Sequence, residues 1–457
     1  MKNMKKILCV ILSLAMLAGT LSACVSQYVS KETTPAPTQA PPATQPPATG
    51  GDATQGETPA PTEEVSIAGT TLDVWYAVSG TSGELFTAQS EKFAKEFDVK
   101  LNLSYTGGSG DTATKVAAAQ LNDTAPDVAL MYAGPLYTGG KDNYDIDALI
   151  KTGSGFDIND VFEGMMDYCV YMGQGYCAVP YGISTQVLYY NKDLLKNAGV
   201  DMTNPPKTWD EFKTLLKDLK GKVGGNMVFD TSDQAWLFKS MLMQNGCEII
   251  DNKDGEITPI FNNAQAVAVA DFWHSLVTDG LMAAGEHGNA ESTFLSGNLA
   301  FIAASSNRIS RWNGTTTFEL GAIEMPYFTQ PSLALGGNVL VILTRDEAKV
   351  RAAWKYLCYL TSVENNTAFA LGTGYLPIHK SALEMDSVKK AIEENEMYGV
   401  AFKQLDYTWA YTHFEQMGTM DTEIRSMLNK LEKDRGTSEE LLTSAVNALQ
   451  KEIDADK

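Results

Sequence analysis

No stretch of this 457-residue sequence reaches the roughly 20 consecutive apolar residues that a membrane-spanning helix requires. Basic residues are scarce: 35 Lys and Arg stand against 56 Asp and Glu, a formal charge of −21. Such a surface repels phosphate backbones, which are gripped by clustered Lys and Arg, so nucleic acid is excluded as a partner. Metal-site spacing is missing as well. The cysteines make no CxxC pair, and His274, His287, His379 and His413 show no ligand spacing. Asp251-Asn-Lys-Asp254-Gly255-Glu256 suggests a calcium loop, but Lys253 stands at the third ligand position, so a glycine-containing turn is the plainer reading. There is no GxSxG nucleophile elbow and no GxxxxGK followed by Ser or Thr. Ser387-Val-Lys-Lys390 fits SxxK but lies in a charged helical pattern, which reads as solvated surface. With 56 acids any spacing occurs by chance, and none singles out a hydrolytic pair. No enzyme activity, cofactor or metal is expected.

What is present begins with a leader. Lys2, Lys5 and Lys6 precede the apolar run Ile7–Leu17, the layout of a bacterial export signal. The first 23 residues hold those three lysines and no acid, so their removal shifts the charge from −21 to −24. Leu21-Ser22-Ala23-Cys24 resembles the lipobox of bacterial lipoproteins, in which the cysteine is acylated on sulfur and becomes residue one. Buried acyl chains, at ~0.8 kcal/mol per CH₂, would hold the protein on the outer face of the cell membrane through Cys24. From Val25 to Glu64 the chain is rich in Thr, Pro, Ala, Gln and Gly, and eight of its 17 prolines lie between Pro35 and Pro61. Few apolar side chains are available there to offset chain entropy, so an extended tether is expected, either as a spacer or as a passive linker.

The body from about Ile67 has about 390 residues, more than the ~250–300 one core usually organises, and two lobes are expected. Strand, helix, strand and helix patterns follow one another over Thr71–Val78, Glu84–Phe97, Val99–Tyr105 and Thr112–Leu121, before the apolar run Asp127–Tyr132. That order predicts a mainly parallel sheet covered by helices. Gly107-Gly-Ser-Gly110 after the second strand offers backbone N–H groups to an anion, although a plain turn explains it equally. Thr208 with Glu211 forms a capping box for a helix to about Lys220. Further helices are predicted over Asn263–Thr278, Asp346–Thr361, Ser387–Glu396, Thr422–Lys433 and Glu439–Glu452. Cys169, Cys177, Cys247 and Cys358 remain in the body, and a Cys169–Cys177 disulfide and buried thiols are both open.

One stretch is specific: Tyr176-Cys-Ala-Val-Pro180-Tyr-Gly-Ile-Ser184-Thr-Gln-Val-Leu-Tyr189-Tyr190-Asn191-Lys-Asp193, followed by Pro205-Pro206-Lys-Thr208-Trp209-Asp-Glu211-Phe212. With Pro126-Asp127, Phe294–Phe301, Gly336-Gly337-Asn338 and Thr373–Pro377, it resembles the extracellular solute-binding proteins of ABC importers, family 1. The resemblance runs from about Ile67 to Lys451. It implies an α/β, two-lobed periplasmic-binding-protein-like fold, with discontinuous lobes joined by a multi-crossing hinge and ligand held between them. The lobes would be residues 67–181 plus 306–335 and residues 185–303 plus 339–457. Crossings are expected near Pro180–Ser184, Ala303–Ser306 and Leu335–Val339, where small or backbone-special residues suit hinge motion.

In detail the chain is similar to the glycerol-3-phosphate-binding members. Ser184, Ser305, Gly337 and Tyr375 fall on their ligand positions. Ser109 stands in place of a tyrosine, Ala133 of a glutamate, and His413 at or near a phosphate-binding arginine. A neutral His with no compensating lysine beside it suits a phosphate dianion poorly, unless Arg308 or Arg311 supplies charge. Aromatic residues favour a sugar instead: Tyr132 ends a strand at the carboxyl edge of the first sheet, and Trp236, Tyr375 and Trp409 return to the cleft. Core packing is the competing role for each of them. The expected ligand residues are therefore Tyr132, Ser184, Trp236, Ser305, Ser306, Gly337, Tyr375, Trp409 and His413. The function implied is capture of a mono- or oligosaccharide by a monomeric, lipid-anchored subunit that delivers it to membrane permease subunits. A glycerol-3-phosphate or glycerophosphodiester binder is the alternative, and a surface glycan hydrolase the competitor from another class. Mass spectrometry of the exported protein should find Cys24 as the acylated first residue; an unmodified Cys24, or a mature end elsewhere, would contradict the anchor.

Overall fold

Strands β1 (Thr71–Tyr76) and β2 (Lys100–Tyr105) form where the alternating patterns stand, and β3 (Val128–Tyr132) where the apolar run stands. They are followed by β4 (Val179–Ser184), β5 (Gln186–Asn191), β6 (Met227–Thr231), β7 (Ile250–Lys253), β8 (Glu256–Pro259) and β9 (Leu299–Ser305). The last are β10 (Leu320–Ile323), β11 (Leu333–Ala334), β12 (Gly336–Ile342) and β13 (Thr408–Trp409). This computed structural model describes residues 66–133, 144–152, 155–171, 175–224, 227–285, 287–410 and 413–455. The leader, Cys24 and the tether lie outside the described residues.

Two sheets organise the body. The first has the order β2-β1-β3-β12-β4, with β1, β2 and β3 parallel and β12 antiparallel to both β3 and β4. The second has the order β10-β5-β9-β6. The main helices are α1 (Thr81–Phe97), α2 (Ser109–Leu121), α3 (Trp209–Leu219), α4 (Gln234–Gln244), α5 (Ala264–Thr278), α6 (Glu347–Leu360), α7 (Val363–Thr373), α8 (Met417–Leu431) and α9 (Ser438–Ala455). Phe86 and Phe93 of α1 meet Tyr181 of β4 and Tyr356 of α6, which builds the first core. In the second, α3 starts on the Thr208–Glu211 capping box. Its Trp209, Phe212, Leu216 and Leu219, spaced three or four apart, are fully buried. Each such side chain contributes ~1.5–3 kcal/mol of burial, and Phe212 sets its ring against Phe229 of β6 and Phe301 of β9.

The expected lobe boundaries need correction. Residues 306–335 contain β10, which pairs with β5 in the second sheet. Residues 339–457 begin inside β12, which is bonded to β3 and β4 in the first. The helices after it, α6 and α7, pack on α1. Apolar content marks these segments as strands, but the choice of sheet is made by pairing between residues roughly 130 to 210 apart in sequence. Asp254-Gly255 does make a turn, between β7 and β8. Cys169 and Cys177 are buried free thiols, with the Cys177 N–H donating to the Cys169 carbonyl at 3.0 Å.

A buried charged cluster ties the second sheet to the end of α8. His287 Nδ1 lies 2.5 Å from Asp230 Oδ1 of β6, and Nε2 lies 3.0 Å from Glu432 Oε1 just past α8. Glu432 also accepts from the Trp273 indole at 2.8 Å and from the Gly285 N–H at 2.6 Å. Burial alone would lower the imidazole pKa. The hydrogen bonds and charges of the two carboxylates prevail and raise it from 6.5 to about 9. Because the folded value is the higher one, the charged imidazole stabilises the fold fully below pH 6.5, and that contribution disappears as pH rises through about 9. The difference amounts to roughly 3 kcal/mol. Urea unfolding at pH 7 and pH 10 should therefore show a loss of that order in the native protein, and a much smaller one in His287→Gln. A native stability equal at both pH values would contradict the clamp.

Candidate functional site

The chain passes from one sheet to the other at a single residue. β4 ends at Ser184, Thr185 follows, and β5 begins at Gln186. Beside this crossing β12 runs back along β4, with Gly336 opposite Ser184 and Gly337 opposite Ile183. Gly337 has φ +124°, and a Cβ there would lie 2.2 Å from the Gly182 carbonyl oxygen. Only glycine permits that approach. The first and third expected crossings thus coincide with changes of sheet. At the second, β9 ends in Ser305 and the chain re-enters the same sheet at β10.

A cavity of about 340 Å³ opens at this seam. Tyr132, the last residue of β3, lines it together with Ser184 and Leu335–Gly337. Opposite, α4 contributes Asp233, Trp236 and Lys239, three residues apart and so on one helix face, while α8 contributes Asp421 and Arg425. Asp233 caps α4, accepting from the Trp236 N–H at 3.1 Å, and both its oxygens lie 3.1 Å from Arg425 Nη2. The Trp236 indole N–H donates to the Ala334 carbonyl at 2.9 Å. Its ring is tucked against Gly336, where a Cβ would stand 3.0 Å from it. The ring is therefore fixed before any ligand arrives.

The charges are arranged in pairs. Lys239 Nζ is 2.6 Å from Asp421 Oδ1, and only 2 % of the lysine side chain is exposed. Burial alone would pull its pKa down, but the Asp421 carboxylate holds it above the ordinary lysine value, so it stays charged. Arg425 is held up in the same way, against burial, by Asp233 and Asp421. Two cations facing two anions leave the lining with no net charge. Behind it, burial and then the Lys239 charge lower His413 to about 3, which makes it a neutral imidazole.

The structure brings Tyr132, Ser184, Trp236 and Gly337 together on the cavity wall. Tyr375 stands behind it, stacked on Phe369 at 5.7 Å, its hydroxyl 3.3 Å from Asn338 Nδ2. Ser305 ends β9 and Ser306 follows it, the carbonyls of both accepting from the Tyr189 hydroxyl, and Ser306 is fully buried. Trp409 lies in β13, its carbonyl accepting from the Leu335 N–H at 2.9 Å, and it does not line the cavity. His413 is likewise buried and outside the lining. The expected absence of a lysine beside it is wrong, because Lys239 is close enough to depress its pKa. Arg308 binds Glu291 at 2.7 Å and does not line the cavity; nor does Arg311. Sequence reasoning missed Asp233, Lys239, Asp421 and Arg425. A signal existed in α4, where Lys239 and Ser240 interrupt an otherwise apolar run from Ala235 to Met243, and Lys239 brings the only charge.

Among the described residues, no group of three His, Cys, Asp or Glu is placed to hold a metal ion, and no helix is long and apolar enough to cross a membrane. Residues 88–395 match the model of the bacterial extracellular solute-binding protein family. The sn-glycerol-3-phosphate-binding periplasmic protein UgpB of Pectobacterium atrosepticum is 25% identical over 412 residues, covering 83% of this chain and 90% of its own. The Escherichia coli K12 protein of the same name is 25% identical over 355 residues, 74% of this chain and 80% of its own. Among solved structures, the cyclic α-maltosyl-1,6-maltose binding protein of Arthrobacter globiformis superposes with TM-score 0.74 at 22% identity, covering 83% of this chain and 98% of that one. UgpB of Mycobacterium tuberculosis, in complex with glycerophosphocholine, superposes with TM-score 0.74 at 23% identity, covering 84% and 99%. These superpositions establish the two-lobed periplasmic-binding-protein-like fold, and the family match establishes the rest: the chain belongs to the bacterial extracellular solute-binding protein family.

Proposed function

We propose that this protein is the lipid-anchored receptor subunit of an ABC importer, capturing a neutral mono- or oligosaccharide at the seam between its sheets and delivering it to membrane permease subunits. The observation that carries this reading is the cavity itself. It combines a fixed indole, suited to the apolar face of a sugar ring, with charge-paired hydrogen-bonding groups suited to hydroxyls. Its four charges cancel, so a dianion finds no surplus cation there, whereas a neutral ligand gains hydrogen bonds without separating either pair. The similar fold of a protein named for binding cyclic α-maltosyl-1,6-maltose supports the ligand class. Capture needs no chemistry, so the protein acts as a monomeric receptor rather than an enzyme, held on the outer face of the membrane through Cys24.

A second reading rests on Lys239 and Arg425. Two cations reach the lining, and a glycerophosphodiester carries one negative charge that either could meet. The relatives named for glycerol-3-phosphate and glycerophosphocholine point the same way.

A thermal-shift screen over sugars, polyols and glycerophosphodiesters separates these readings, because a ligand of the folded state raises stability as RT ln(1 + [L]/Kd). The expected result is stabilisation by saccharides, with no product formed on incubation. Trp236→Ala should weaken binding by tenfold or more while the protein remains folded. Stabilisation by phosphodiesters alone would select the second reading, release of shorter sugars would indicate a hydrolase, and undiminished affinity in Trp236→Ala would remove this cavity from the site.

A further inference from the structure

We propose that the ligand path continues from the cavity along the carboxyl ends of β3, β1 and β2 onto a platform formed by Tyr76 and Tyr105, so that the ligand is a chain of several sugar rings. This rests on the saccharide reading above and narrows it. Among the described residues, Tyr105 and Leu121 are the exposed large hydrophobic side chains, and Tyr105 is 51% exposed. Leu121 closes α2, the helix that runs back from the strand ends toward the other edge of the sheet. Single exposed apolar residues are ordinary, but Tyr105 does not stand alone. It is the last residue of β2, directly paired with Tyr76, the last residue of β1, and their rings lie 5.7 Å apart. Tyr76 is in turn fixed by Phe86 at 5.2 Å, a fully buried ring of α1.

Strand register extends the row to the cavity. Tyr76 pairs with Leu130 of β3, and Tyr132 lies two residues beyond it. Side chains alternate along a strand, so Tyr105, Tyr76 and Tyr132 project from the same face at the same edge. Adjacent strands are ~4.8 Å apart, which places Tyr76 ~5 Å and Tyr105 ~10 Å across the sheet from the strand of the cavity-lining tyrosine. Polar groups accompany the aromatic ones. Ser109, at the start of α2, donates to Asn338 Oδ1 at 2.9 Å, and Asn338 is paired with Tyr132. The Thr106 N–H donates to the Tyr76 carbonyl, which holds the turn beside the platform. Such a row gives apolar faces for successive rings and hydroxyl partners between them, whereas one ring in the cavity leaves the platform unused. Tyr105 is joined through Tyr76, whose ring is tilted 51° to its own, to the strand ends that lead to the cavity wall.

The test is isothermal titration of the purified full chain with gluco-, manno-, galacto- and xylo-oligosaccharides of two to six units. The native protein should bind its preferred series more tightly as the chain lengthens, gaining tenfold or more between two and four units. Tyr105→Ala should lose that gain and keep the two-unit affinity, while Tyr105→Phe, which retains the ring, should keep both. Because Tyr105 is on the surface, the variants should unfold at the native temperature. Affinity independent of length, or a Tyr105→Ala protein that binds every length as the native one does, would overturn the platform and leave the saccharide reading intact. No binding of any series by the native protein would overturn both.

Discussion

The close approach of β12 to β4 at Gly337 is the constraint on which the rest of the architecture depends. It lets a single strand insert between β3 and β4, so that the first sheet ends against the crossing at Thr185 instead of stopping short of it. Tyr132, Ser184 and Gly336 thereby reach one seam, and Gly336 leaves the space in which the Trp236 indole sits. A side chain at Gly337 would push β12 away from β4 and open the floor of the cavity. The site is thus built into backbone geometry first and into side chains second.

Electrostatics then decide what the seam accepts. Burying Lys239 is costly unless a partner offsets the loss of hydration, and Asp421 provides it. Asp233 serves two purposes, capping α4 and holding Arg425. The overall acidity of the chain says nothing of this, because local pairs override bulk charge. Acidity does bear on partners, since a strongly negative body has no use for a phosphate backbone, but the ligand sees a balanced set of four groups.

Much of the fold was legible in the sequence. The alternating β1 and β2 segments, the apolar β3 run, the Thr208 capping box and the helices beginning after Asn263 and Asp346 stand where local patterning puts them. The fate of β10 and β12 was not legible, because each is an antiparallel strand whose sheet is chosen by distant pairing. Within the site, Tyr132, Ser184, Trp236 and Gly337 could be found from a strand end and from the resemblance, whereas Trp409 and His413 could not be told apart from structural residues. Asp233, Lys239, Asp421 and Arg425 escaped for a general reason. In an acidic chain any one charge looks like surface, and only tertiary packing reveals that these four face each other. Lys239 was the exception that apolar neighbours could have exposed.

The central claim is that one cavity, lined by the first sheet on one side and by α4 and α8 on the other, holds the ligand. A crystal structure of the protein soaked with the saccharide that stabilises it most tests this directly. The account predicts ordered ligand packed on Trp236 and in contact with Tyr132 of the first sheet and with α8 opposite it. Ligand ordered outside this cavity, or in contact with the first sheet alone and not with α4 or α8, would contradict it.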